Sequence, residues 1–205
     1  TVTLCGENTY TGTTTISAGT LALGADNVLS DETEVSVTGI FDLADNSDTI
    51  NVLSGAGSVL LGSGTLSVGG NNGSGSFSGV IAESGGLTKL GSGTVTLSGE
   101  NTYTGTTTIS NGTLTYGGSN ILSTGAVTIN GGTLNIDSYT DTVGAVTLES
   151  GSITGTGTLT GSSYAVKSGA IGAILGGSSV GLTKSTGGTV TLSGENTYTG
   201  TTTIS

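Results

Sequence analysis

The chain has 205 residues, 40 of them glycine, with no proline, methionine, tryptophan or histidine and only 8% charged residues. Fourteen acidic side chains against three lysines (Lys89, Lys167 and Lys184) give a formal net charge of −11. That argues against nucleic-acid binding, which needs many cations to neutralise phosphates, and against an anionic membrane surface.

No apolar run approaches the ~20 residues of a membrane helix, so no membrane insertion is expected in this segment. No stretch places apolar residues at i, i+3, i+4 and i+7 over several turns, whereas short period-2 alternation is everywhere, and the expected class is all-β. Thr1-Val2-Thr3-Leu4 reads as a strand already under way. Leu21 and Leu23 repeat its alternation, and Phe41 and Leu43 follow. Seven of the fourteen acidic residues (Asp26, Asp31, Glu32, Glu34, Asp42, Asp45 and Asp48) fall in this first stretch. Clustered carboxylates suit calcium, and Asp42, Asp45 and Asp48 are the candidate ligands. Neither an EF-hand loop nor a Gly-Gly-x-Gly-x-Asp nonapeptide accompanies them, and the favoured reading of these residues is a solvated acidic loop that keeps a glycine-rich rod soluble. Beyond them, the polar stretch 69–78 reads as a surface loop.

Internal repetition is the strongest signal. The segment TVTLSGENTYTGTTTIS occupies residues 94–110 and again 189–205, and residues 1–17 match it except at Cys5, where the other copies carry Ser98 and Ser193. The offsets are 94 − 1 = 93 and 189 − 94 = 95 residues. The long units are therefore 1–93, 94–188 and the start of a third at 189–205, all within one continuous solenoid.

A shorter period lies inside. Thr94, Thr113 and Thr133 superpose Val95, Leu114 and Leu134, and then Leu97, Tyr116 and Ile136. A second register runs through Ile109, Ile129 and Leu148. Passes of about 20 residues that repeat the same inward pattern suit a chain coiled so that like strands stack in parallel. An antiparallel sandwich with Asn-Gly hairpins at Asn111-Gly112 and Asn130-Gly131 is the alternative, but hairpins do not require a whole pass to reproduce the previous one. The expected fold is a parallel β-helix, a β-solenoid of about ten rungs and roughly 50 Å at ~4.8 Å per rung. Its end rungs carry no polar cap, so the segment is expected to be a window on a longer array that continues at both ends.

Gly-Leu-Thr-Lys leading into Gly-Thr-Val-Thr-Leu-Ser-Gly-Glu-Asn-Thr-Tyr-Thr-Gly-Thr-Thr-Thr-Ile-Ser, and on to Asn111-Gly112-Thr113-Leu114, resembles the autotransporter-associated β-strand repeat of type V secreted bacterial surface proteins. Residues 85–114 and 180–205 carry the resemblance, and residues 1–24 carry its second half. It implies a right-handed β-helical passenger exported to the bacterial cell surface or beyond, in a family that includes adhesins and biofilm components. The repeat is a scaffold with no catalytic residues to transfer.

The absence of histidine removes Ser-His triads, and no carboxylate pair or basic cluster suggests polysaccharide cleavage, so no enzyme and no cofactor are expected. Thr94 and Thr96, then Thr113 and Thr115, would form an outward array like that of ice-binding solenoids, but it breaks at Asn135 and, in the first unit, at Ala22. Strand propensity and stacking account for the threonines as well. Tyr10, Tyr103 and Tyr198 read either as exposed adhesive rings or as covers over the core at a corner. Asn8, Asn101 and Asn196 read as backbone partners within that turn. Cys5 is a candidate intermolecular cross-link or a drifted serine. The expected role is a structural stalk, filament or matrix scaffold whose partner is itself, through end-to-end repeats and lateral bundling. The alternative is an adhesin that contacts cell-surface glycans, host or mineral.

Overall fold

Extended runs of three or four residues bounded by glycine and serine are too short to bury a face singly, so they must stack. The computed structural model describes all 205 residues. It contains 25 short strands and no helix, wound into a parallel β-solenoid of about eleven turns. Every strand pairing is parallel, and each turn has three sides. Side I holds Val2–Leu4, Thr20–Leu23, Ile40–Asp42, Ser58–Leu60 and Val80–Ala82, and further up Thr140–Thr142, Thr158–Thr160 and Ile174–Gly176. Side II runs from Asp48–Ile50 through Thr65–Val68, Gly86–Lys89 and Thr107–Ile109 to Thr202–Ile204. Side III runs from Thr14–Ile16 through Glu34–Val37, Val52–Gly55 and Gly75–Phe77 to Thr94–Leu97, Thr113–Tyr116 and Val190–Leu192. Val127–Asn135 and Ala145–Thr154 each serve sides II and III, bending at a register irregularity near Asn130.

Both registers read from the sequence are present. Val95 stands against Leu114, and Leu114 against Leu134; Ile109 against Ile129, and Ile129 against Leu148. In the first unit Val2 meets Leu21, which meets Phe41, and Leu4 meets Leu23. Val2 is exposed, and Leu4 and Leu21 are partly buried. The others belong to one core cluster of 40 buried residues, in which equivalent side chains of successive turns cover one another. The turn count exceeds the expected ten because several turns are shorter than 20 residues. Leu159 pairs with Leu175, and Phe41 with Val59.

Two features hold the corner between sides II and III. Gly91 (φ +57°) and Gly112 (φ +62°) are left-handed there, and a Cβ on Gly112 would sit 2.4 Å from Gly91 O. Only glycine both adopts this turn and lets the next turn approach. Beside them Lys89 interrupts the aliphatic column, between Val68 and Ile109. It is 1% exposed, and its ammonium donates to the carbonyls of Leu90, Gly91 (2.9 Å) and Asn111 (3.4 Å). Burial without a carboxylate pushes its pKa below the ordinary lysine value. Lys184 repeats the arrangement on Ser185 O and Thr186 O.

The three motif copies do not occupy the same sides. From the second to the third the chain makes five whole turns, since Thr107 leads in register through Val127, Val146, Tyr164 and Leu182 to Thr202, its own equivalent. From the first to the second it makes a third of a turn less. Val2 lies on side I, but its equivalent Val95 lies on side III. The column of Thr14–Ile16 on side III leads up to Thr94–Leu97 and not to Thr107–Ile109.

Candidate functional site: the recurring Asn-Thr-Tyr arm

Each motif places Gly-Glu-Asn-Thr-Tyr on the side between its two strands, where no ladder strand forms. The asparagine side chain adds to the few backbone bonds that join this side to its neighbours, such as Thr102 N–H to Ile81 O (2.9 Å). Asn101, 5% exposed, accepts from Ile81 N–H on the turn below (2.8 Å) and donates to Ile121 O on the turn above (2.8 Å) and to Gly99 O (3.1 Å). Asn8 makes the upward and local contacts, to Val28 O and Gly6 O. Asn196 makes the downward and local ones, from Leu175 N–H and to Gly194 O. The expected bonds within the turn are present, and the inter-turn bridge goes beyond them. A primary amide has the donors and acceptor to stand in for a peptide group in a parallel sheet.

The tyrosines divide between the two readings. Tyr103 is buried and covers the core, Tyr198 is half-buried, and Tyr10 is 42% exposed on the first turn. All three hydroxyls reach the threonine four residues on: Tyr10 to Thr14 (2.9 Å), Tyr103 to Thr107 (2.5 Å) and Tyr198 to Thr202 (2.8 Å). Burial lifts the Tyr103 hydroxyl above the ordinary tyrosine range.

One turn above the asparagine lies Asn-Val-Leu-Ser (27–30) or Asn-Ile-Leu-Ser (120–123), and one turn higher an aspartate. Asp48 accepts from Val28 N–H and Leu29 N–H, both 3.0 Å, and from its own neighbour Thr49 N–H. Asp141 accepts from Leu122 N–H (2.8 Å) and Thr142 N–H. They are 2% and 3% exposed, and desolvation raises both above the ordinary carboxylate value against the pull of these hydrogen bonds. The sequence signal for this pair is an Asp-Thr dipeptide recurring 93 residues apart, at 48–49 and 141–142.

A shallow polar groove opens beside the arm, lined by Glu7, Asn8, Asn27 and Ser30 in the first unit and by their equivalents Glu100, Asn101, Asn120 and Ser123 in the second. Of the calcium candidates, Asp42 accepts from Ala44 N–H and Asp45 from Ser63 N–H, while Asp48 turns inward. The structure gathers no three Asp, Glu, Cys or His side chains into a metal-holding group. Cys5 is exposed and unpaired. Outward threonines follow the expected columns, Thr94–Thr113–Thr133 and Thr96–Thr115–Asn135 on side III, and side II carries one more, Thr88–Thr108–Thr128–Thr147. Ala22 is buried between Thr3 and Asp42. Of the expected surface loop 69–78, residues 69–74 form a wide corner whose Asn72 accepts from Ser92 N–H on the next turn, whereas Gly75–Phe77 is a side III strand that buries Phe77 in the core.

The passenger-associated-transport-repeat family matches residues 1–23, 87–115 and 182–205, three segments that each contain one arm. Among curated proteins, the chain is 42% identical over 122 residues, 52% of its length, to the adhesin BmaC autotransporter of Brucella suis biovar 1 (strain 1330). It spans about 3% of the length of that relative. No solved structure matches the chain.

Proposed function

We propose that this chain, which carries three passenger-associated-transport repeats, is a structural rod segment of an autotransporter passenger displayed on the bacterial surface, a scaffold and not an enzyme. The observation that carries this reading is how the polar groups of the repeats are used. The arm's asparagine, tyrosine and downstream aspartate all bond the chain's own backbone or its own threonine, so the most repeated residues hold turns together. A continuous stack of parallel turns resists extension because every turn is pinned on both sides. Strands stacked in parallel turn upon turn give a rod whose length grows with each added unit.

The name of the Brucella relative supports a second reading, in which the groove beside the arm or the loop 69–74 contacts a host surface or glycan. Two measurements on the purified chain separate them. Small-angle scattering should give a rod of roughly 50 Å, and the chain should bind neither mammalian cells nor a glycan array. Saturable binding that is lost on replacing Glu7 and Glu100 together with glutamine would favour the adhesive reading and count against a purely structural one.

A further inference from the structure

We propose that Asn111-Gly112 is a site of spontaneous covalent modification. There the Gly112 nitrogen closes on the Asn111 side chain, expels ammonia and leaves an aspartyl or isoaspartyl residue at the corner between sides II and III. This goes beyond the scaffold role and does not rest on it. The chain has three Asn-Gly pairs, at 72–73, 111–112 and 130–131, and all three asparagines are exposed. Glycine leaves the attacking nitrogen unhindered in each, so the dipeptide by itself does not rank them.

The fold ranks them. At 72–73 both reacting groups are engaged elsewhere. Asn72 Oδ1 accepts from Ser92 N–H (2.9 Å) and from the Ser92 hydroxyl (3.1 Å) on the turn above, while Gly73 N–H donates to Asn51 Oδ1 (2.7 Å) on the turn below. Asn130 and Gly131 lie inside the strand Val127–Asn135, with Asn130 paired to Ser150. A strand sends its side chains out across the chain direction, away from the following nitrogen. Asn111 has neither restraint. It sits in a bend ahead of the strand Thr113–Tyr116, and its one side-chain hydrogen bond is the one that Oδ1 accepts from Gly112 N–H (2.8 Å). The amide carbon, one bond from that oxygen, therefore lies beside the nitrogen that attacks it, a near-attack arrangement.

The reaction needs only water. The Gly112 nitrogen loses its proton and bonds to Asn111 Cγ, the bond from Cγ to the side-chain nitrogen breaks, and that nitrogen leaves with the proton as ammonia. Water then opens the cyclic imide at one of its two carbonyls, giving aspartate in the original chain or isoaspartate with the chain rerouted through the side chain. Lys89 favours the first move. Its ammonium lies on Asn111 O (3.4 Å), the carbonyl of the peptide group whose nitrogen is deprotonated, and a positive charge there stabilises the resulting anion. The corner has little room for the rerouted product. A Cβ on Gly112 would already meet Gly91 O and Gly93 O at 2.4 Å, so the extra backbone methylene of isoaspartate forces these turns apart. The first unit has Ala18 at the equivalent position, 111 − 93 = 18, and is exempt.

The test is to incubate the whole folded chain in mildly alkaline buffer and follow each asparagine by peptide mass spectrometry, with fragmentation that distinguishes isoaspartate from aspartate. Asn111 should convert roughly tenfold faster than Asn72 or Asn130, and in denaturant the three should convert at similar rates. Lys89→Met should slow Asn111 while leaving Asn72 and Asn130 as they are, whereas a merely loosened corner would speed it. Asn111 converting no faster than the other two in the folded chain would overturn the proposal, and so would the same ranking in denaturant. An unchanged or faster Asn111 in Lys89→Met would overturn the part assigned to Lys89.

Discussion

The first unit (1–93) and the second (94–188) open with nearly the same 17 residues, yet they present those residues on different sides of the rod. Val2 belongs to side I and Val95 to side III. Locally the copies agree. The Tyr-to-Thr contact and the Asn-to-Gly carbonyl contact recur in both, and the Asp-Thr pair follows two turns later in both. The motif therefore carries its own conformation, and the intervening residues decide the side to which it is delivered. The first unit has wide turns, as where Val59 pairs with Ile81, so it completes fewer turns in 93 residues than the second does in 95.

The sharpest way to break this comparison is the bridging asparagine. Asn101→Ala strands the buried Ile81 N–H and removes one of the two donors to Ile121 O, and should destabilise by about 3 kcal/mol. Asn8→Ala, half-buried on the first turn, should cost only about 1 kcal/mol, read by denaturant unfolding. Equal losses would mean that the arm acts locally and not as a bridge between turns.

The glycine corner gives a contrast of similar size. Gly19 and Gly112 are equivalent and both left-handed, at φ +71° and +62°. Nothing lies within 4 Å of a Cβ on Gly19, whereas one on Gly112 meets two carbonyl oxygens at 2.4 Å. Gly19→Ala should therefore cost about 1 kcal/mol of backbone strain, and Gly112→Ala about 3 kcal/mol once the clash is added. Thermal melting of the two variants reads the difference. Smaller still, Lys89→Met makes the side II column apolar from Ile50 to Val166 but leaves carbonyls unpaired, and should cost about 2 kcal/mol. A gain in stability would show that the buried ammonium is tolerated and not used.

Much of this fold was legible in the sequence, because stacking forces equivalent positions to share a chemistry. The Val95–Leu114–Leu134 and Ile109–Ile129–Leu148 columns are visible as spacings of 19 and 20 before any coordinates exist. What was not legible has physical causes. Lys89 lies in an apolar column, where a charged residue is not expected, because corner carbonyls at stacked glycines solvate its ammonium. Asp48 reads as one of a run of surface acids, yet it turns inward while Asp42, half-buried at a strand end, and Asp45, at an exposed turn, do not. The change of side between motif copies depends on summing small differences in turn length across the whole first unit. No local pattern records that sum.

Paired spin labels at three equivalent exposed positions, Thr9, Thr102 and Thr197, test the central claim most directly. Thr102 and Thr197 lie five turns apart on one side, so their distance should be near the axial rise alone, about 24 Å. Thr9 and Thr102 are separated by fewer residues but lie on different sides, and their distance should be the longer by several ångströms. Two equal distances, or a shorter one for Thr9 and Thr102, would contradict an architecture in which the spacer and not the motif sets the side of display.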